Sequence, residues 1–235
     1  MLAGWHTGPA GVGRSVPNIC ARNRARVRQV ALVQAGTGGS VATQRLFIAL
    51  PCAAPAPELD AYLGTLAAML WREVPRGQRH VTLAFLGPQP DGAVARLTQV
   101  LDPVLERQAP FSLDLAGLGA FPAGGRPTSL WTGCASGADH LEALIARLRA
   151  ALSIAGFTID RRPLRAHVTL ARRRARAAPA LAARAAAAWL RGGAGRTWVR
   201  LQVAQVALWR SDLEPTGARY TSLRVWSLAG RRPVP

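Results

Sequence analysis

The stretch His80-Val81-Thr82-Leu83-Ala84 recurs unchanged as His167-Val168-Thr169-Leu170-Ala171, and these copies hold two of the chain's 4 histidines. β-Branched and apolar residues bounded by turn-formers read as a strand. Successive side chains of a strand point to opposite faces. His80, Thr82 and Ala84 are therefore expected on one face, with Val81, Leu83 and Phe85 on the other. The second copy sorts alike, His167, Thr169 and Ala171 against Val168 and Leu170. Each copy offers an imidazole beside a hydroxyl, backed by an apolar face that can pack under helices. Two such strands facing each other would make a cleft.

The flanking sequence predicts the rest. Arg45–Leu50 reads as a buried strand stopped by Pro51. Leu59, Tyr62, Leu63, Leu66 and Leu70 recur at helical spacing, and Pro57 suits a first helical turn. Trp71–Gln78 is a connection into the first motif, which Gly87-Pro88 ends. Val94, Leu97, Leu101 and Val104 mark a second helix with a kink or stop at Pro103. Two strands follow, Phe111–Leu118 and Ser129–Cys134, then a helix on Leu141, Leu144, Ile145, Leu148 and Leu152, with Asp139 its N-cap and Gly156 its stop. After the second motif come an Ala-rich helix, Ala178–Leu190, and two strands, Trp198–Trp209 and Tyr220–Ser227, joined across Pro215 and Gly217. This order predicts an α+β fold of two pseudo-symmetric lobes. Each is a mainly antiparallel sheet with outer helices, and the central cleft carries both motifs.

The domain reading has three parts: a disordered or spurious basic extension over 1–43, one two-lobed domain over 44–228, and a tail over 229–235. Residues 1–43 carry five arginines and no acid, so a transit peptide and a basic RNA-binding arm also remain open for them. The net charge is +18, +13 of it outside that leader, and every basic residue is arginine. Such a field favours a polyanionic partner, and arginine's planar fork suits phosphate. Cys20, Cys52 and Cys134 form no C-x-x-C pair, which fits a reducing compartment. No apolar run approaches a membrane span. A soluble, cytoplasmic, monomeric protein without a membrane partner is expected.

Two histidines can serve as base and acid in one reaction, and Thr82 and Thr169 can donate hydroxyl hydrogen bonds to an anion between them. Metal binding fits less well, because no Asp, Glu or Cys lies within either motif. A third ligand from elsewhere stays open, but no metal or cofactor is expected. No G-x-S-x-G turn supports a serine triad, and Gly36–Gly39 lacks the lysine of a P-loop.

The chain resembles the 2H phosphoesterase superfamily, named for two H-x-T/S-x motifs, here 80–83 and 167–170. More closely it resembles the bacterial RNA 2′,3′-cyclic phosphodiesterases, also called 2′-5′ RNA ligase-like proteins. QRLFIALP (44–51), HVTLAFLG (80–87), FPAGGRPTSLWTG (121–133), RPLRAHVTLAR (162–172) and LWRSDLEPTGARYTSLRVWSL (208–228) carry the resemblance. Ala166 stands where the family often has proline, and Leu164 where it has an aromatic. The resemblance implies metal-independent hydrolysis of RNA 2′,3′-cyclic phosphate ends to 2′-phosphomonoesters. His167 would be the proton acceptor, His80 the proton donor, and Thr82 and Thr169 the phosphate clamps. The near-symmetry of the motifs leaves the acid/base direction open. Arg172 and Arg126 are candidate phosphate or backbone contacts, with solvated surface arginines the alternative; Phe47 or Trp131 are candidate base-stacking surfaces, with core packing the alternative. Alternatives are 2′-5′ end-joining of RNA, hydrolysis of a small cyclic nucleotide, or an RNA-binding module without turnover.

Overall fold

The computed structural model describes residues 42–123, 125–160, 165–214 and 217–230. The readings made for residues 1–41, Leu164, Pro215 and the tail beyond 230 lie outside them. In chain order the elements are β1 (Thr43–Pro51), α1 (Pro57–Leu63), β2 (Trp71–Glu73), β3 (His80–Pro90), α2 (Ala93–Leu105), β4 (Phe111–Phe121) and β5 (Ser129–Cys134). There follow α3 (Ala138–Ile154), β6 (His167–Arg173), α4 (Pro179–Gly192), β7 (Thr197–Val203), β8 (Gln205–Glu214) and β9 (Gly217–Ser227).

The nine strands form one antiparallel sheet in the order β7-β4-β5-β6-β3-β1-β8-β9, with β2 also on β6. The two motif strands are its middle. They meet through one residue pair, Val81 with Val168. Beyond that pair β3 leaves β6, and β2 takes over the vacated edge by pairing Glu73 with Ala171 and Trp71 with Arg173. The sheet therefore falls into two four-stranded halves, β7-β4-β5-β6 and β3-β1-β8-β9, each ending inward on one motif.

The halves are interleaved along the chain. The first and last described strands, β1 and β9, share a half through β8. Helices α1, α2, α3 and α4 bury Leu63, Leu97, Leu148 and Ala186 in one continuous core on one face of the sheet. Helix α1 packs against β7 and α3 against β3 and β4, so the helix after β1 crosses to the other half and the one after β5 returns. β1 is buried on both faces, Leu46, Ile48 and Leu50 facing the helices and Phe47 and Ala49 the opposite side.

Strict alternation fails inside both motifs, at the same place. Ala84 pairs with Ile48 and Thr82 with Ala49, leaving Leu83 as an extra residue. Ala171 pairs with Leu130 and Thr169 with Trp131, leaving Leu170 extra. Such a bulge bends the strand and re-aims the side chains beyond it. Ala84 and Ala171 consequently join the helix-side core instead of the histidine face. Phe85, expected with Val81 and Leu83, instead lies 6.1 Å from Phe47 on the histidine side.

Other boundaries differ for local reasons. Helix α1 stops at Leu63 because Thr65 turns its hydroxyl onto the Tyr62 carbonyl at 2.7 Å, so Leu66 and Leu70 pack from turns. Within the expected connection 71–78 lies the short strand β2. The N-cap of α3 is Gly137 in the left-handed region, with Asp139 inside the first turn. Pro103 lies within α2. β3 continues through Gly87-Pro88 to Pro90. The single strand expected over 198–209 is two, parted at Ala204, whose carbonyl accepts the Leu228 N–H. Ala204 and Gln205 are both exposed, a slip in phase that sends β7 and β8 to opposite halves of the sheet.

Leu83 and Leu170 are both fully buried, so the bulges are packed features. Leu83→Ala and Leu170→Ala are each expected to cost about 2–5 kcal/mol. A lower urea midpoint with unchanged slope would record that loss, and an unchanged midpoint would contradict it.

Candidate active site

The Val81–Val168 pair sets the site. Continued by one residue, that antiparallel register sets His80 beside Thr169 and Thr82 beside His167. A cavity of about 310 Å³ is lined by His80, Thr169 and Arg172, together with Gln78, Arg219 and Tyr220. Arg172 reaches it because the bulge at Leu170 shifts phase. Under strict alternation it would point toward the helices.

Both histidines are held alike. His80 Nδ1 lies 2.8 Å from the Gln78 carbonyl, and His167 Nδ1 lies 2.7 Å from the Arg165 carbonyl. A carbonyl only accepts, so each Nδ1 carries the proton and each Nε2 is left for chemistry. Aromatic walls fix the rings. Phe47, Trp209 and Tyr220 stand 5.1, 4.9 and 5.1 Å from His80, the last two edge-on. Phe121 and Trp131 stand 5.0 and 5.9 Å from His167.

The residue two positions before each histidine also grips its wall. The Gln78 amide donates to the Tyr220 carbonyl at 3.2 Å and accepts the Tyr220 N–H at 2.8 Å. Arg165 lays its guanidinium over the Trp131 ring at 4.4 Å. Arg79, beside His80, is itself buried and pairs with Asp60 at 2.6 Å while donating to the Val74 carbonyl at 3.2 Å. The loop entering the first motif is thus tied to α1. Burial raises the Asp60 carboxyl, but the Arg79 and Arg76 guanidiniums more than offset it and hold it below the usual range.

The charges that act on the two histidines are positive. Burial pushes the His80 imidazole down to about 4; the Gln78 hydrogen bond opposes this, and the charges of Arg172 and His167 add to it. Burial likewise lowers His167, opposed by the bond to Arg165 and reinforced by the Arg172 and Arg165 charges. Both rings are neutral at pH 7 on their own, and an anion between them would favour their charged forms. Burial pushes the thiols of Cys52 and Cys134 up to about 12, so neither is a thiolate nucleophile. Among the described residues no group of three His, Cys, Asp or Glu side chains is placed to hold a metal ion.

Of the other sequence candidates, Phe47 and Trp131 are nearly buried, 3% and 5% exposed, and serve as walls for the imidazoles rather than open stacking surfaces. Arg126 lies on the exposed loop between β4 and β5 and does not line the histidine cavity. The sequence reading missed Gln78, Phe121, Arg165, Trp209 and Tyr220. Only the offset of two before each histidine could have flagged Gln78 and Arg165.

The family model described as the 2′-5′ RNA ligase superfamily matches residues 55–215. The chain belongs to this superfamily. An RNA 2′,3′-cyclic phosphodiesterase of Geobacillus stearothermophilus is 33% identical over 193 residues, 78% of this chain and 57% of that protein. One from Thermus thermophilus is 34% identical over 172 residues, 68% of this chain and 77% of its own. The chain thus spans little more than half the length of the Geobacillus superfamily member. Among solved structures, TT0787 of Thermus thermophilus superposes with a TM-score of 0.63 at 28% identity, covering 80% of this chain and 100% of that one. E. coli LigT complexed with 3′-AMP gives 0.59 at 25% identity, covering 80% and 99%.

Depressed histidine values make the unfolded chain bind protons first as pH falls. The His80 contribution to stability is present above about 6.5 and is lost as pH falls toward 4, and His167 contributes in the same direction. Ring-nitrogen NMR is expected to find His80 at pH 7 as the neutral Nδ1–H tautomer. Gln78→Ala keeps the carbonyl but frees its anchor, and is expected to mix the tautomers of His80 while leaving His167 unchanged. An unaltered His80 spectrum in that variant would count against the anchoring.

Proposed function

We propose that the domain over residues 44–228 hydrolyses RNA 2′,3′-cyclic phosphate ends to 2′-phosphomonoesters. The observation that supports this most is the pairing at Val81–Val168, which sets two Nδ1-anchored imidazoles, each with its Nε2 left for chemistry, on adjoining strands. The activity named for the relatives from Geobacillus and Thermus supports the same reading.

In this reading the cyclic phosphate sits between the motifs, its non-bridging oxygens held by Thr82 and Thr169. His167 Nε2 takes a proton from water as the water oxygen attacks phosphorus. The bond from phosphorus to the 3′ oxygen breaks, and His80 Nε2 gives that oxygen its proton. The product is a 2′-phosphomonoester with a free 3′ hydroxyl, and a proton returned through solvent resets the pair. His80 must be charged to act as the acid, although it is neutral on its own at pH 7. The anionic substrate supplies the countercharge that raises it, so binding and protonation are coupled.

His80→Ala and His167→Ala are each expected to lower turnover of an RNA ending in a 2′,3′-cyclic phosphate by roughly 10²–10⁴-fold. Activity should persist in chelator, and kcat should show a bell-shaped pH profile. A 3′-phosphate product would reverse the assigned leaving group. End-joining without hydrolysis, or near-full activity in either variant, would overturn the proposal.

A further inference from the structure

β2 sets Arg72 directly opposite Arg172 in its antiparallel ladder with β6. Such a pair shares one face, with Cβ atoms about 4.5–5.5 Å apart, and like charges there repel. Among the described residues no ion pair joins either guanidinium to a carboxylate. Both line the cavity that holds His80 and Thr169, as does Arg219 from β9. Room for Arg72 is made by Gly217, where a Cβ would collide with Arg72 Nη2. The β8–β9 hairpin of one half thus closes onto the arginine of the other.

We propose that Arg72, with Arg172 and Arg219, forms a second phosphate subsite that takes the phosphate on the 5′ side of the terminal nucleotide. Two facing cations without carboxylate partners repel each other, and the oxygens of one phosphate satisfy both together. The cavity lies at the small end of the range for ligand sites, which fits one nucleotide between the two phosphates. Glu73 and Glu214 also line the cavity, and Arg219 lies 3.8 Å from Glu214. These carboxylates disfavour further negative charge on their side and confine the anion to the arginines. The subsite rests on the reading of the cleft as a cyclic-phosphate site, and it makes the enzyme prefer an RNA end or a 5′-phosphorylated nucleotide over a bare cyclic nucleoside.

Three substrates test it: a nucleoside 2′,3′-cyclic phosphate, the same compound bearing a 5′-phosphate, and a dinucleotide ending in the cyclic phosphate. The wild-type chain is expected to show kcat/KM roughly 10- to 100-fold higher for the two that carry a second phosphate. Arg72→Ala should reduce that advantage to about twofold while leaving turnover of the first substrate as in wild type. Arg72→Gln, which keeps a stem and donor without the charge, should do the same. Equal wild-type rates on all three, or a uniform loss in both variants, overturns the subsite and leaves the phosphodiesterase reading standing. Wild-type inactivity on all three overturns both.

Discussion

One backbone pairing, Val81 with Val168, joins the two halves of the sheet, and the site is arranged about it. It brings the motif strands together at their second residues, and His80 and Thr169 line one cavity. It ends after one residue, because β3 and β6 part where the bulges at Leu83 and Leu170 bend them. The opening left by that divergence is the cleft. A longer ladder would fill it, and with none the two imidazoles would belong to separate walls.

The apparatus around each histidine does the same work with different residues. A carbonyl two residues upstream commits Nδ1, and aromatic rings fix the tilt. The side chain of that upstream residue then holds a wall: Gln78 through the backbone of Tyr220, Arg165 through the face of Trp131. Such prior arrangement is what makes a donor or base effective at a developing charge. The charges that act on the rings are positive, with Arg172 acting on both. Both imidazoles are therefore neutral on their own at pH 7, and an anion between them would favour their charged forms. In the proposed reaction, recognition of the anion and readiness of the acid become one event.

Much of this was legible in the sequence. The doubled motif, its period-2 pattern and the helical stripes gave the element types, because burial of alternate or every third-to-fourth side chain is written locally. His80, His167, Thr82, Thr169 and Arg172 were all named from it. Phe47 and Trp131 were named too, as surfaces for a base or as core packing, and it is packing that makes them walls.

What the sequence by itself determined is which side chains can do chemistry and that two identical units present them. The tertiary structure alone decided which residues meet. Strict alternation from His167 would bury Arg172, and only the pairing with β5 reveals the extra residue that turns it into the cleft. The three-residue strand β2 has too few residues for a period, so Arg72 acquired meaning only when β6 lay beside it. Strand order, bulges and cross-strand neighbours depend on hydrogen bonds between segments far apart in the chain. No local pattern of side chains encodes those bonds.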